Sequence, residues 1–120
     1  MSSLKISGPY AITPDLNQTN DLLNKTRQVL EGGVKLVQYR NKSANESLRR
    51  EQAKLLLSLC REHNALLIIN DHLEIAIEID ADGVHVGKND VSVSAAKNQL
   101  GQNKIVGTSC YNQLDLAMQA

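Results

Sequence analysis

Short apolar runs alternate along this chain with longer segments whose apolar residues recur at helical spacing. The runs fall at residues 9–13, 34–39, 65–69, 83–86 and 104–108 and read as strands. Residues 20–30 predict a first helix that stops at Gly32-Gly33, a pair suited to a helix C-terminus. A second helix is expected to start at Ser43, with Glu46 three residues on as a capping box, and to bury Leu48, Leu55, Leu56 and Leu59. A third is expected from Asp71, with Glu74 three residues on, and turns Leu73, Ala76 and Ile77 inward. A fourth covers residues 91–100 and ends at Gly101. Residues 112–120 predict the start of one more helix, with Leu114, Ala117 and Met118 on one face.

Strict alternation with short connections implies an α/β fold, a parallel sheet joined by right-handed crossovers. Two architectures fit. A small doubly wound sheet would be complete in 120 residues, whereas a parallel (β/α)8 TIM barrel runs to roughly 250. A chain that stops inside a helix favours the barrel. Residues 1–120 then form a single domain, an incomplete N-terminal portion holding about the first five β/α units. Such a portion would leave open sheet edges at the first and fifth strands.

Composition narrows the function classes. With no Phe and no Trp, the core must be built from Leu, Ile, Val and Ala, which suits helices packed on a parallel sheet. Thirteen Lys and Arg balance thirteen Asp and Glu, without the basic stripe of a nucleic-acid binder, so no nucleic-acid partner is expected. No apolar run approaches membrane-spanning length, so no membrane partner is expected either. Cys60 and Cys110 lack metal-site spacing, and the reading is a reduced, cytoplasmic protein in which Cys60 is a buried thiol. The sequence leaves homo-oligomerisation open.

The chemistry gathers at the strand ends. Side chains on a strand alternate between faces, so Gln38, Arg40 and Lys42 leave on one side, an amide, a guanidinium and an ammonium together. That set suits an anion with several oxygens, a phosphate or diphosphate. The third strand ends in Asn70-Asp71, the fourth leads through His85 to Asp90, and the fifth ends in Gly107-Thr108-Ser109-Cys110. Parallel strands place all of these on one rim, where α/β folds bind ligands. Asp71 and Asp90 beside the basic cluster suggest a Mg²⁺–diphosphate site. Each residue has a plainer reading: Asp71 and Asp90 as helix caps, Arg40 and Lys42 as solvated charges, His85 as a core histidine, Ser109 as the start of a turn. Their convergence favours the site. No side chain is assigned as a catalytic acid, base or nucleophile.

These segments carry a resemblance. Tyr10-Ala11-Ile12-Thr13, Gly32-Gly33-Val34 leading to Gln38-Tyr39-Arg40-Asn41-Lys42, Ile68-Ile69-Asn70-Asp71, residues 81–90 and Gly107-Thr108-Ser109-Cys110 resemble the N-terminal part of the thiamine-phosphate synthase (thiamine-phosphate pyrophosphorylase) family. The resemblance implies a (β/α)8 barrel and a Mg²⁺-dependent transferase acting on small-molecule substrates. It would join hydroxymethylpyrimidine diphosphate to hydroxyethylthiazole phosphate, giving thiamine phosphate and diphosphate by a dissociative route. By the same resemblance, Gln38, Tyr39, Arg40, Asn41, Lys42, Asn70 and Ser109 bind the pyrimidine diphosphate, and Asp71 and Asp90 hold Mg²⁺. Val86 and Lys88 stand where the family commonly has leucine and glutamine. The family's thiazole-phosphate contacts lie beyond residue 120, so the isolated chain is expected to be inactive.

Three rivals remain. A phosphoacceptor receiver domain would use Asp15 and Asp71, but the fifth strand ends in Thr108-Ser109-Cys110 where a receiver needs lysine. A related thiazole tautomerase-like barrel would have no need of Asp71, Asp90 and the Gln38–Lys42 cluster. A truncated, non-catalytic fragment would bind diphosphate without turnover.

Overall fold

The computed structural model describes residues 2–5, 10–87, 90–101, 103–110 and 113–119, with side chains at 10–87, 93–101 and 103–108. In chain order the elements are β1 (Ser2–Lys5), β2 (Ala11–Ile12), α1 (Thr19–Glu31), β3 (Leu36–Tyr39), α2 (Glu46–Glu62), β4 (Leu66–Asn70), α3 (Leu73–Ile79), β5 (Gly83–Val86), α4 (Asp90–Leu100), β6 (Lys104–Cys110) and β7 (Gln113–Gln119). From β2 to β6, strands and helices alternate as the apolar periods predict. The chain divides into two compact units, Gly8–Leu67 and Met1–Ser7 with Ile68–Ala120, and the boundary falls inside β4.

In the 8–67 unit, β2 lies parallel to β3, with Ala11 opposite Val37 and Ile12 opposite Gln38. Helix α1 buries Leu22, Thr26 and Leu30, spaced four residues apart. It ends in a Schellman motif: Gly33 takes φ +103, its N–H donates to Leu30 O, and the Val34 N–H donates to Val29 O. The Ala65 N–H reaches back to Cys60 O in the same way at the end of α2, with Asn64 at φ +56 in the left-handed position. Cys60 is fully buried, as its place on an apolar face predicts.

Two expectations about α2 change. Its N-cap is Asn45, whose side-chain oxygen accepts from the Leu48 N–H at 2.8 Å, and not Ser43. Ser43 Oγ is instead engaged by Asn41 and Asn17. The buried face is also rotated from the apolar stripe. Gln52, Ala53, Leu56, Leu59 and Cys60 are buried, Leu48 is half-buried, and Leu55 is 40% exposed. A polar residue at the centre of that face, Gln52, hid it from a count of apolar positions.

In the 68–120 unit, β4, β5 and β6 run parallel. Helix α3 begins at Leu73 rather than Asp71, and the shift turns Ile75 and Ala76 inward while Ile77 is 44% exposed. Asp80 at φ +57 ends it, the Ala81 N–H closing onto Ala76 O. Lys104 Nζ binds Asp80 Oδ1 at 2.6 Å and Ala81 O at 2.8 Å, a cation placed where helix carbonyls end. Ile68, Ile69, Ile75, Val84, Ile105 and Val106 form the core.

Residues 113–119 are a strand and not a helix. β7 pairs antiparallel with β6, from Cys110 opposite Gln113 to Lys104 opposite Gln119, and β1 pairs antiparallel with β7. The residues explain the error. Leu114, Leu116 and Met118 alternate with Asp115, Ala117 and Gln119, so the period of two is as good as the helical one. The antiparallel pairing with β7 satisfies the backbone groups along the outer side of β6. The edge expected to be open at the fifth run is therefore covered.

Gly83 sets the approach of β5 to β6. A Cβ there would overlap the carbonyl oxygen of Ile105 and stand 2.7 Å from its Cβ. Gly83→Ala is expected to lower unfolding stability by about 1–3 kcal/mol, the usual cost of overpacking. Urea unfolding measures it, and an unchanged midpoint would mean that the strands separate freely.

Candidate active site

β3 delivers its polar residues in two directions. Tyr39 and Asn41, 1% and 4% exposed, turn toward α2. Strand alternation carries Gln38 and Arg40 to the opposite face. The backbone between them is held by Thr13, which follows β2: its N–H donates to Gln38 O at 3.0 Å. Its Oγ1 donates to Arg40 O at 3.2 Å and accepts from the Arg40 N–H at 3.0 Å. Asp15 Oδ1 accepts from the Lys42 N–H at 3.2 Å.

The two sets differ in what they have left to offer. Tyr39 and Asn41 spend their side chains inside the protein. Tyr39 Oη donates to Gln52 Oε1 at 2.6 Å, and Asn41 Nδ2 donates to Gln52 Oε1 at 3.0 Å and to Leu16 O at 3.0 Å. Asn41 Oδ1 accepts from the Ser43 N–H and Oγ. Among the described residues, no hydrogen bond or ion pair takes the side chains of Gln38, Arg40 or Lys42. Gln38 is nonetheless 3% exposed. Its amide is not among the buried polar atoms left without a partner, so the little surface it keeps lies at the amide, where a ligand can reach it.

A second cluster stands at the end of β4, in the 68–120 unit. Asn70 Nδ2 donates to Asp71 Oδ2 at 3.3 Å, which turns Asn70 Oδ1 toward His85 Nδ1 at 3.0 Å. In that arrangement His85 Nδ1 carries the proton. His85 is half-buried on β5 and orients Asn70. Asp71 does not cap α3: the N-cap is His72, and no side chain caps the helix. Asp71 instead takes φ +61, donates its N–H to His85 O at 2.8 Å, and exposes its carboxylate. An exposed carboxylate on a left-handed residue, freed from a capping role, has the hard oxygen atoms that a divalent cation takes. Asp90 begins α4 and Ser109 lies near the end of β6, opposite Leu114, but their side chains lie outside the described residues. Lys88 lies outside them entirely.

The model of the thiamine monophosphate synthase family matches residues 9–120. The chain belongs to that family. It is 52% identical over 120 residues to the thiamine-phosphate synthase of Nitrosomonas eutropha, covering all of this chain and 57% of that protein. Over 116 residues it is 51% identical to the Nitrosospira multiformis thiamine-phosphate synthase, covering 97% of this chain and 50% of the other. It therefore spans about half the length of the curated relatives it matches. Among solved structures, a thiamine phosphate pyrophosphorylase from Pyrococcus furiosus superposes with a TM-score of 0.72 at 35% identity, over 85% of this chain and 49% of that one. The fold is accordingly α/β and TIM-barrel-like. Among the described residues, no helix is long and apolar enough to cross a membrane.

Near the first cluster the sequence reading missed Gln52, and it named Thr13 only within a matching segment and Asp15 only as a receiver candidate. Gln52 did leave a signal. It lies four residues before Leu56 and eight before Cys60, on the buried face of α2, where a polar residue calls for a partner.

Burial pushes the Tyr39 hydroxyl up from 10.0 to about 12, because the ionised form would lose its water. The folded protein thus holds that proton more tightly than the unfolded chain. The resulting stability is full below about pH 10 and is lost as pH rises toward about 12. Ultraviolet titration should show a tyrosine ionising near pH 12 that Tyr39→Phe abolishes; its persistence in that variant would assign it elsewhere.

Proposed function

We propose that the protein carrying this chain is a thiamine-phosphate synthase, condensing hydroxymethylpyrimidine diphosphate with hydroxyethylthiazole phosphate to give thiamine phosphate and diphosphate. The observation that carries the reading is the set of unspent groups on Gln38, Arg40 and Lys42, on a backbone pinned by Thr13 and Asp15. Family membership supplies the substrate class.

In this reading Arg40 grips two diphosphate oxygens at once, Lys42 adds a point charge, and the Gln38 amide meets an oxygen or a ring group of the pyrimidine. Asn70, oriented by His85, and Ser109 contact the same substrate. Asp71 and Asp90 would hold Mg²⁺, which would supply positive charge to the departing diphosphate. The methylene carbon–oxygen bond breaks first, and diphosphate leaves with the electron pair. The thiazole nitrogen then donates its own pair to the pyrimidine methylene carbon. No protein nucleophile is needed. The chain's residues lower the barrier by stabilising the charge that gathers on the leaving oxygen and by holding the substrate in line. The scarcity of cysteine, two residues in 120, supports a cytoplasmic setting.

Asp71→Asn is expected to lower turnover about 100-fold, the usual loss of an electrostatic contact made in the transition state. Steady-state rates across a Mg²⁺ titration test this, and wild-type rates at limiting Mg²⁺ would reduce Asp71 to a loop residue. Arg40→Ala should weaken binding of the pyrimidine diphosphate more than Lys42→Ala, since only arginine binds in bidentate fashion. Calorimetric titration ranks the two, and a larger loss at Lys42 reverses the assignment.

A further inference from the structure

Gln52 is fully buried in α2 and hydrogen-bonds none of Gln38, Arg40 and Lys42, yet its carboxamide uses its whole hydrogen-bonding capacity. Oε1 accepts from Tyr39 Oη at 2.6 Å and Asn41 Nδ2 at 3.0 Å. Nε2 donates to Leu16 O at 2.9 Å and Thr19 Oγ1 at 3.3 Å. These four bonds join the end of β3, the loop that follows it, the segment after β2 and the first residue of α1. One turn earlier on the same helix, Arg49 Nη2 holds the carbonyl oxygens of Asn41 and Ala44 at 3.1 and 2.7 Å. α2 therefore grips residue 41 at both its side chain and its backbone.

We propose that Gln52 is a positioning residue for the diphosphate-binding segment, a role that rests on the synthase reading of Gln38, Arg40 and Lys42. The physical link is alternation. Tyr39 and Asn41 flank Arg40, and both are tied to one acceptor oxygen, so the backbone at 39–41 cannot rotate without breaking a buried hydrogen bond. With that backbone held, Gln38 and Arg40 are aimed at the opposite face before any ligand arrives. Removing the Gln52 amide would leave a buried hydroxyl and a buried amide seeking new partners, and the segment would move to satisfy them.

The test uses the protein as its gene encodes it. Gln52→Met keeps the volume and deletes all four bonds. It is expected to raise KM for the pyrimidine diphosphate about tenfold or more, as small misplacements of a binding group do, while KM for the thiazole phosphate stays unchanged. A merely structural role would lower the active fraction, reducing kcat with both KM values unmoved, and that result overturns the proposal. The double variant Tyr39→Phe with Gln52→Met removes the buried hydroxyl that Gln52→Met alone would orphan. It should regain thermal stability yet keep the raised KM; recovery of both together also overturns the proposal. Should Gln52→Met fail to fold, Tyr39→Phe alone carries the test, with an expected rise in KM of about threefold from losing one of the two ties to Oε1. An unchanged KM there refutes the role.

Inorganic diphosphate with Mg²⁺, titrated by calorimetry, separates this inference from the reading beneath it. A wild-type protein that binds diphosphate without forming thiamine phosphate loses the synthase reading. The positioning role then stands if Gln52→Met weakens that binding about tenfold. If Arg40→Ala abolishes binding and Gln52→Met leaves it intact, the site stands and the positioning role falls. If the wild-type protein binds neither ligand, both fall.

Discussion

A carboxamide buried among aliphatic side chains must find a partner for every donor and acceptor it carries, because water is not there to supply them. Gln52 meets that demand by drawing two stretches of chain, residues 16–19 and 39–41, to one point on α2. The consequence runs outward from the helix. Tyr39 and Asn41 face inward, and the strand between them has only one direction left for Gln38 and Arg40. The contrast between spent and unspent polar groups along residues 38–42 is thus a by-product of one buried amide. Thr13 completes the arrangement from the other side by holding both the N–H and the C=O of residue 40. A segment held at so many points needs little rearrangement to meet a ligand, which is where affinity and orientation are gained.

Residues in the left-handed region mark the joints of the chain, and they do two kinds of work. Gly33, Asn64 and Asp80 end helices α1, α2 and α3, each followed by an N–H that closes back onto the helix. Short connections follow because the chain reverses within a residue or two. Asp71 shares the conformation but terminates no helix. It directly follows β4, its backbone bonded to β5 and its carboxylate outward. Strain of this kind costs about 1–3 kcal/mol and persists only where its surroundings impose it. Here the Asp71 N–H bond to His85 and the Asn70–His85 contact do so, and the result is an acidic group presented at a strand end.

In the 68–120 unit, close strand packing decides the rest. Gly83 lets β5 approach the Ile105 backbone, and β6 then finds its outer partner in β7. The antiparallel β6–β7–β1 set departs from the parallel run before it, and it removes the open edge that β/α alternation alone would leave at β6.

The apolar periods by themselves determined the α/β alternation from β2 to β6, the boundaries of α1, the burial of Cys60 and the polar character of the strand ends. Those features depend on local spacing and on residue types whose preferences act within a few positions. Motif order from residue 10 onward was enough to place the chain in its family, because several weak matches at fixed spacing seldom coincide. Tertiary structure decided what local patterns leave degenerate. Residues 113–119 satisfy helical and strand periods alike, and only the unpaired side of β6 chose between them. Asp71 and Ser43 both look like N-caps, yet the true caps were set by where the helices could dock. The face of α2 was misread because burial of Gln52 is favourable only once Tyr39, Asn41, Leu16 and Thr19 surround it. A polar side chain's place in a core is a property of its partners, and those partners lie 11 to 36 residues away along the chain.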